Sequence, residues 1–199
     1  KNIDSLDSKK EKYFKEGFDF VSMENQFTLK MVLETVQDLE FDVFDLQIKS
    51  KENEMYILGM HILAKEKYME EFKISNRKLQ NFLYTLQESY NPTAYHTKTH
   101  ATDVSQTCYY YMQTCDLINI CKLTKVEQFS MLVAGFIHDT DHPGFNNMFM
   151  VNTSAPIAIR YNDRAVLENY HIAMGFKIIT GSKQRDIFEN VSKEEYKEF

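Results

Sequence analysis

Four of the six histidines fall in two short clusters, Tyr95-His96-Thr97-Lys98-Thr99-His100 and Ile137-His138-Asp139-Thr140-Asp141-His142-Pro143-Gly144. Neutral imidazole and carboxylate are the donors that hold zinc, manganese or magnesium at hydrolytic centres. His138 and Asp139 close an apolar run over 129–137. Two ionisable groups at the end of a buried segment need a compensating partner, and a metal ion supplies one. The carboxylate of Asp139 has two oxygens, so it can bridge a pair of metals. The plainer alternative is a histidine complementing the helix C-terminus, with Asp139 capping the next turn. His96 and His100 stand four apart, and a helix over 93–104 would put both imidazoles on one face. They would then be two ligands of one ion, or one ligand beside a proton donor. Two solvated histidines at a helix start are the competing reading. The presence of both clusters in one short chain favours metal. His142 extends the second cluster, while Asp141 reads as a turn residue before Pro143. Further on, Glu168 and His171 share a helix face at a spacing of three, suited to orienting water at a metal or to nothing beyond solvation. His61 lies on an apolar helical face and reads as a core residue.

These side chains need a frame, and the composition points to helices. The 199 residues include only six glycines and three prolines, with 43% hydrophobic and 26% charged residues. That suits one globular unit with a sizeable core and long helices. Helical spacing runs from Glu24 to Leu39, then over 54–72, with a further helix capped by Ser75. The stretch 41–46 suits a short strand or an irregular link. Asn91-Pro92 breaks the pattern before the first cluster, and a helix is expected over 104–117. Thr124-x-x-Glu127 is a capping box ahead of the apolar helix that ends at His138. Ala155-Pro156 starts another helix, and 166–179 follows. Ser192-Lys193-Glu194-Glu195 is a second capping box. It opens a helix that the remaining residues would not complete, so the chain is expected to be a portion of a larger domain. The expectation is an all-α unit over 24–199, preceded by a polar lead-in over 1–23.

Charge and cysteines exclude several classes. The formal net charge is −6 with no basic stripe, which argues against nucleic acid. Cys108, Cys115 and Cys121 form no paired motif, so a disulfide framework is not indicated and an intracellular, cytoplasmic setting is expected. No apolar stretch has the ~20 residues that a membrane span needs. Membrane association through regions outside this segment stays open.

The clusters can be read together. Tyr95-His96-x-x-x-His100-Ala101-x-Asp103-Val104, then His138-Asp139-x-Asp141-His142-Pro143-Gly144, then Tyr161-Asn162-Asp163-x-x-Val166-Leu167-Glu168-x-x-His171 resemble the successive signatures of class I cyclic nucleotide phosphodiesterases. The resemblance covers the chain from about Glu24 onward and implies an HD-type, all-α metal phosphohydrolase domain that hydrolyses cyclic AMP or cyclic GMP. It implies His96 as the general acid for the leaving 3′-oxygen. His100, His138 and Asp139 would be ligands of a zinc ion, with Asp139 bridging to a second metal, magnesium or manganese. His142 and Glu168 would position water, His171 would lie close by, and Tyr95 would line the pocket beside the phosphate. It further implies a fourth zinc ligand, a glutamine and a phenylalanine from beyond Phe199, and leaves room for a homodimer or regulatory domains outside this segment. The asparagine that usually follows the first histidine is Thr97 here. A different HD-type nucleotide phosphohydrolase and a phosphodiesterase-like subunit without turnover are the alternatives.

Overall fold

The computed structural model describes residues 23–199, with side chains from Phe27 onward. The lead-in expected over 1–23 therefore falls, apart from Met23, outside the described residues. Among the described residues there are twelve helices and no strand. They are α1 (Met23–Glu34), α2 (Val43–Lys49), α3 (Glu54–Lys65), α4 (Tyr68–Glu71), α5 (Asn76–Ser89) and α6 (Lys98–Gln113). The second half adds α7 (Leu117–Cys121), α8 (Lys125–Ile137), α9 (Asn147–Asn152), α10 (Pro156–Arg160), α11 (Val166–Thr180) and α12 (Lys193–Glu198).

The main core joins α3, α5, α6 and α8 through fully buried Leu58, Ile62, Leu79, Phe82, Leu83, Tyr109, Phe129, Leu132 and Phe136. Truncating a ring such as Phe136 to alanine costs about 3–5 kcal/mol in such a setting. A smaller cluster of Met150, Ala158, Val166 and Leu167 ties α9, α10 and the start of α11 together. α6 and α8 run antiparallel, since Ser105 meets Gly135 and His100 meets His138. Their approach is close. A methyl at Gly135 would stand 2.6 Å from Ser105 Oγ and 3.1 Å from its Cα. No helix among the described residues is long and apolar enough to cross a membrane.

The capping signals hold. Ser75, Thr124 and Ser192 each accept a backbone N–H in the first turn of α5, α8 and α12, and the last two complete capping boxes. Four expectations are corrected. The stretch 54–72 is two helices, broken at Lys67 with φ 59°. The break turns Tyr68 and Phe72 onto Phe129, at ring-centroid distances of 5.6 and 4.9 Å, and this packing ends the helix where no glycine or proline announces a stop. The ambiguous 41–46 stretch starts α2, because Asp42 accepts N–H bonds from Phe44 and Asp45. The helix expected over 93–104 starts at Lys98, with Thr97 as its N-cap, and the helix expected to reach Leu117 ends at Gln113.

Candidate metal centre

His96 thus lies outside α6 while His100 lies within its first turn, so the two do not share a helix face. The chain brings them together by another route. The loop before α6 lays the His96 ring on His142, with centroids 3.8 Å apart and planes within 12°. His100 faces His138, Nε2 to Nε2 at 3.3 Å. His138 is the C-cap of α8, and the backbone turns immediately after it, closed by Thr140 N–H to Ile137 O and His142 N–H to Asp139 O. Adjacent residues at a helix end can converge only through such a turn. Pro143 and Gly144, the latter at φ 85°, lead the chain away.

Asp139 is the meeting point. Its Oδ2 stands 3.1 Å from His138 Nε2 and 3.4 Å from His100 Nε2. Three donors around a tetrahedral ion at ~2.0–2.1 Å must lie about 3.3–3.4 Å apart. The trio matches that requirement. A second group, His96, Asp139 and His142, also offers three ligand atoms within 4.8 Å of one another. Asp139 belongs to both groups. A further observation asks for a charge or donor here. The buried Nε2 of His171 has no hydrogen-bond partner and lies 3.8 Å from Asp139 Oδ1. The residues present fit a divalent-metal site.

Hydrogen bonds set the tautomers. His138 Nδ1–H donates to Gly135 O at 2.7 Å and His171 Nδ1–H donates to Thr140 O at 2.8 Å. Each presents Nε2 to the site, the usual arrangement behind a metal-binding or accepting imidazole. His142 is the reverse, for its Nδ1 accepts the Gly144 N–H at 3.0 Å. Neutral His142 therefore carries its proton on Nε2 and acts as a donor. Burial, followed by the charges of His96 and His171, pushes the His142 pKa down to about 4. Burial also lowers His100 and His171. At His138 burial opposes the charged ring, but the Asp139 and Gly135 hydrogen bonds outweigh it and hold the pKa up. Asp139 is likewise pushed up by burial and pulled down further by the surrounding imidazoles, for a net lowering.

All members of the two groups except His100 sit in the wall of a cavity of about 890 Å³, lined among others by His96, His138, Asp139, His142, Glu168 and His171. Glu168 is exposed, and its carboxylate is gripped by Asn147 Nδ2 at 3.0 and 3.2 Å, which lowers its pKa. Tyr95 does not line this cavity. Its exposed ring packs on His100 at 4.5 Å and borders a smaller cavity of about 460 Å³. His61 lies away from the cluster on α3, where it is half-buried and its Nε2 lacks a hydrogen-bond partner, so it is not the satisfied core residue that its apolar face suggested. Sequence reasoning missed Asn147, which also accepts the Leu167 N–H at 2.9 Å and so fixes Glu168 from both sides. It missed Asn91 and Tyr170 as well, which bond to Asp141. No spacing signal marks these residues, because they join segments distant in the chain.

Residues 95–199, just over half of the chain, match the family model of 3′5′-cyclic nucleotide phosphodiesterases. The chain belongs to that family. The match opens at Tyr95 and so contains every residue of the two metal-ligand groups. The phosphodiesterase family is metal-dependent, in keeping with the donor set. Among its relatives is the 3′,5′-cyclic-nucleotide phosphodiesterase regA of Dictyostelium discoideum, 37% identical over 83% of this chain and 20% of the relative. The 3′,5′-cyclic-AMP phosphodiesterase 4 of the same organism is 34% identical over 75% of this chain and 14% of its own length. The human dual specificity calcium/calmodulin-dependent 3′,5′-cyclic nucleotide phosphodiesterase 1C is 32% identical over 84% and 24% respectively. The chain spans about a fifth of the length of these relatives.

Proposed function

We propose that this chain carries part of the catalytic centre of a metal-dependent hydrolase that opens 3′,5′-cyclic nucleotides, cyclic AMP or cyclic GMP, to 5′-monophosphates. The observation that carries the reading is Asp139 at metal-ligand spacing from His100 and His138, and lining one large cavity together with His96, His138 and His142. His100, His138 and Asp139 would hold a zinc ion, and Asp139 would reach toward a second ion, magnesium or manganese. Divalent metals at such a site neutralise a phosphodiester and acidify water enough to give hydroxide at neutral pH.

The chain's own residues do the rest. His96 stands at the cavity wall and donates a proton to the departing 3′-oxygen, so that an alcohol leaves and not an alkoxide. His142, with its proton on Nε2, donates a hydrogen bond to the attacking water. Glu168, held by Asn147, accepts one from it, and His171 offers an acceptor lone pair from beneath. Tyr95, exposed and packed on His100 at 4.5 Å, would buttress that ligand's ring from outside the large cavity. The free cysteines support an intracellular setting for the parent protein.

The test is hydrolysis of cyclic AMP and cyclic GMP by the full-length protein, with and without chelator. Asp139→Ala is expected to abolish activity and metal retention more completely than His142→Ala, because Asp139 would bind metal through its carboxylate whereas His142 presents Nε2–H as a donor. His96→Ala is expected to keep its metals and lose ~10²–10⁴-fold in kcat. That loss should shrink with a substrate analogue whose leaving group needs less protonation. Equal losses for good and poor leaving groups would show that His96 does not act as an acid. Cyclic-nucleotide binding without turnover in the metal-loaded protein would replace the hydrolase with a sensing subunit.

A further inference from the structure

Asp141, beside His142, adopts a left-handed backbone with φ 57°. Such a conformation persists where surrounding bonds over-determine it, and here both carboxylate oxygens are held. Asn91 Nδ2–H donates to Oδ1 at 2.9 Å, and the Tyr170 O–H donates to Oδ2. The same Asn91 amide donates to the His142 carbonyl at 3.0 Å. Three segments distant in sequence therefore meet on one carboxylate: the loop before α6, the turn after α8, and α11. None of the three residues lines the large cavity. Their neighbours do, since Tyr170 precedes His171 and Asp141 precedes His142. The His142 ring lies between His96 at 3.8 Å and His171 at 5.1 Å, nearly parallel to both.

We infer that Asn91, Asp141 and Tyr170 are positioning residues whose shared hydrogen bonds hold the His142 ring at its station between His96 and His171. The brace acts on the peptide that carries His142, so it fixes where the ring stands without touching a substrate. Its kinetic consequence rests on the hydrolase reading. Its structural consequence does not.

The test is carbethoxylation by diethylpyrocarbonate, followed at each histidine by mass spectrometry on the chelator-treated full-length protein. His142 is only 5% exposed, so its reaction requires the ring to leave the stack. Tyr170→Phe removes one hydroxyl and keeps the ring. The rate at His142 is expected to rise about tenfold, the worth of a hydrogen bond to a charged acceptor, while His61 on α3 keeps its wild-type rate. Asp141→Asn, which keeps the side-chain shape, should give the same selective rise if the phenylalanine variant folds poorly. In the metal-loaded protein Tyr170→Phe should lower kcat about tenfold at unchanged KM. The double variant with His142→Ala should be no slower than His142→Ala alone, because residues that act through one another are not additive. An unchanged rate at His142, or an equal rise at His142 and His61, would overturn the brace. Absence of cyclic-nucleotide hydrolysis in the wild type would sink the hydrolase reading, and the carbethoxylation result would still decide the brace.

Discussion

Thr97 stands where the family resemblance leads one to expect asparagine, and its hydroxyl has a definite task. Its Oγ1 accepts the His100 N–H at 3.4 Å and caps α6. Asparagine and threonine are both good N-caps, because each offers a side-chain oxygen to a backbone N–H left without a partner in the first turn. The exchange therefore keeps the helix start that aims His100, and shortens the side chain that follows His96. Thr97→Val, similar in shape but without the acceptor, should cost about 1 kcal/mol of stability. Thr97→Asn should cost a few tenths at most. Thermal melts of the three proteins would check this, and a valine variant as stable as wild type would show that the cap carries no weight. Residue types and their spacing pointed to the two clusters that hold His100, His138 and Asp139, because possible metal donors stand out chemically, and the fold brings those three to ligand spacing. Asn91, Asn147 and Tyr170 carry no such announcement. An amide or phenol becomes informative only once its partner across the fold is known.

At the level of helices, the ends marked by capping chemistry were readable and the ends set by packing were not. Ser75, Thr124 and Ser192 signalled α5, α8 and α12 correctly, since a cap is a local event. The break at Lys67 was hidden, because it is imposed by where Tyr68 and Phe72 must go. The close crossing of α6 and α8 was hidden too, and it depends on Gly135. That glycine lets Ser105 approach, and its carbonyl orients His138. Gly135→Ala would force the helices apart or displace Ser105. Overpacking of this kind typically costs 1–3 kcal/mol. The same shift would move His138 away from His100, so metal affinity should fall together with stability. Chelator competition on the full-length protein would measure the first and melting the second. Ser105→Gly should restore part of both in the double variant, since it removes the side chain that the new methyl meets. A Gly135→Ala protein with wild-type metal affinity would mean that α8 carries no positional demand from the site.

For the molecule as a whole, proton linkage gives a handle that is independent of metal. His61 sits on α3 away from the candidate site, with a buried Nε2 that has no hydrogen-bond partner. Burial lowers its pKa below the ordinary 6.5, and the charge of Lys65 on the next turn lowers it further. The unfolded chain therefore takes up a proton near pH 6.5 that the folded chain still refuses. Stability contributed by neutral His61 is intact above pH 6.5 and declines as pH falls from there toward the folded-state pKa, below which the decline ends. His61→Leu removes both the titration and the unsatisfied ring nitrogen, and leucine suits a helix face that carries Leu58 and Ile62. The variant should be at least as stable as wild type at pH 8, where His61 is neutral in both states. Its advantage should widen at pH 5.5, where wild type pays for excluding the proton. Melting temperatures of wild type and variant at the two pH values, in chelator so that metal release does not contribute, give the comparison directly. The same difference at pH 5.5 and pH 8 would show that His61 is solvated well enough in the folded state to titrate as it does in the unfolded chain.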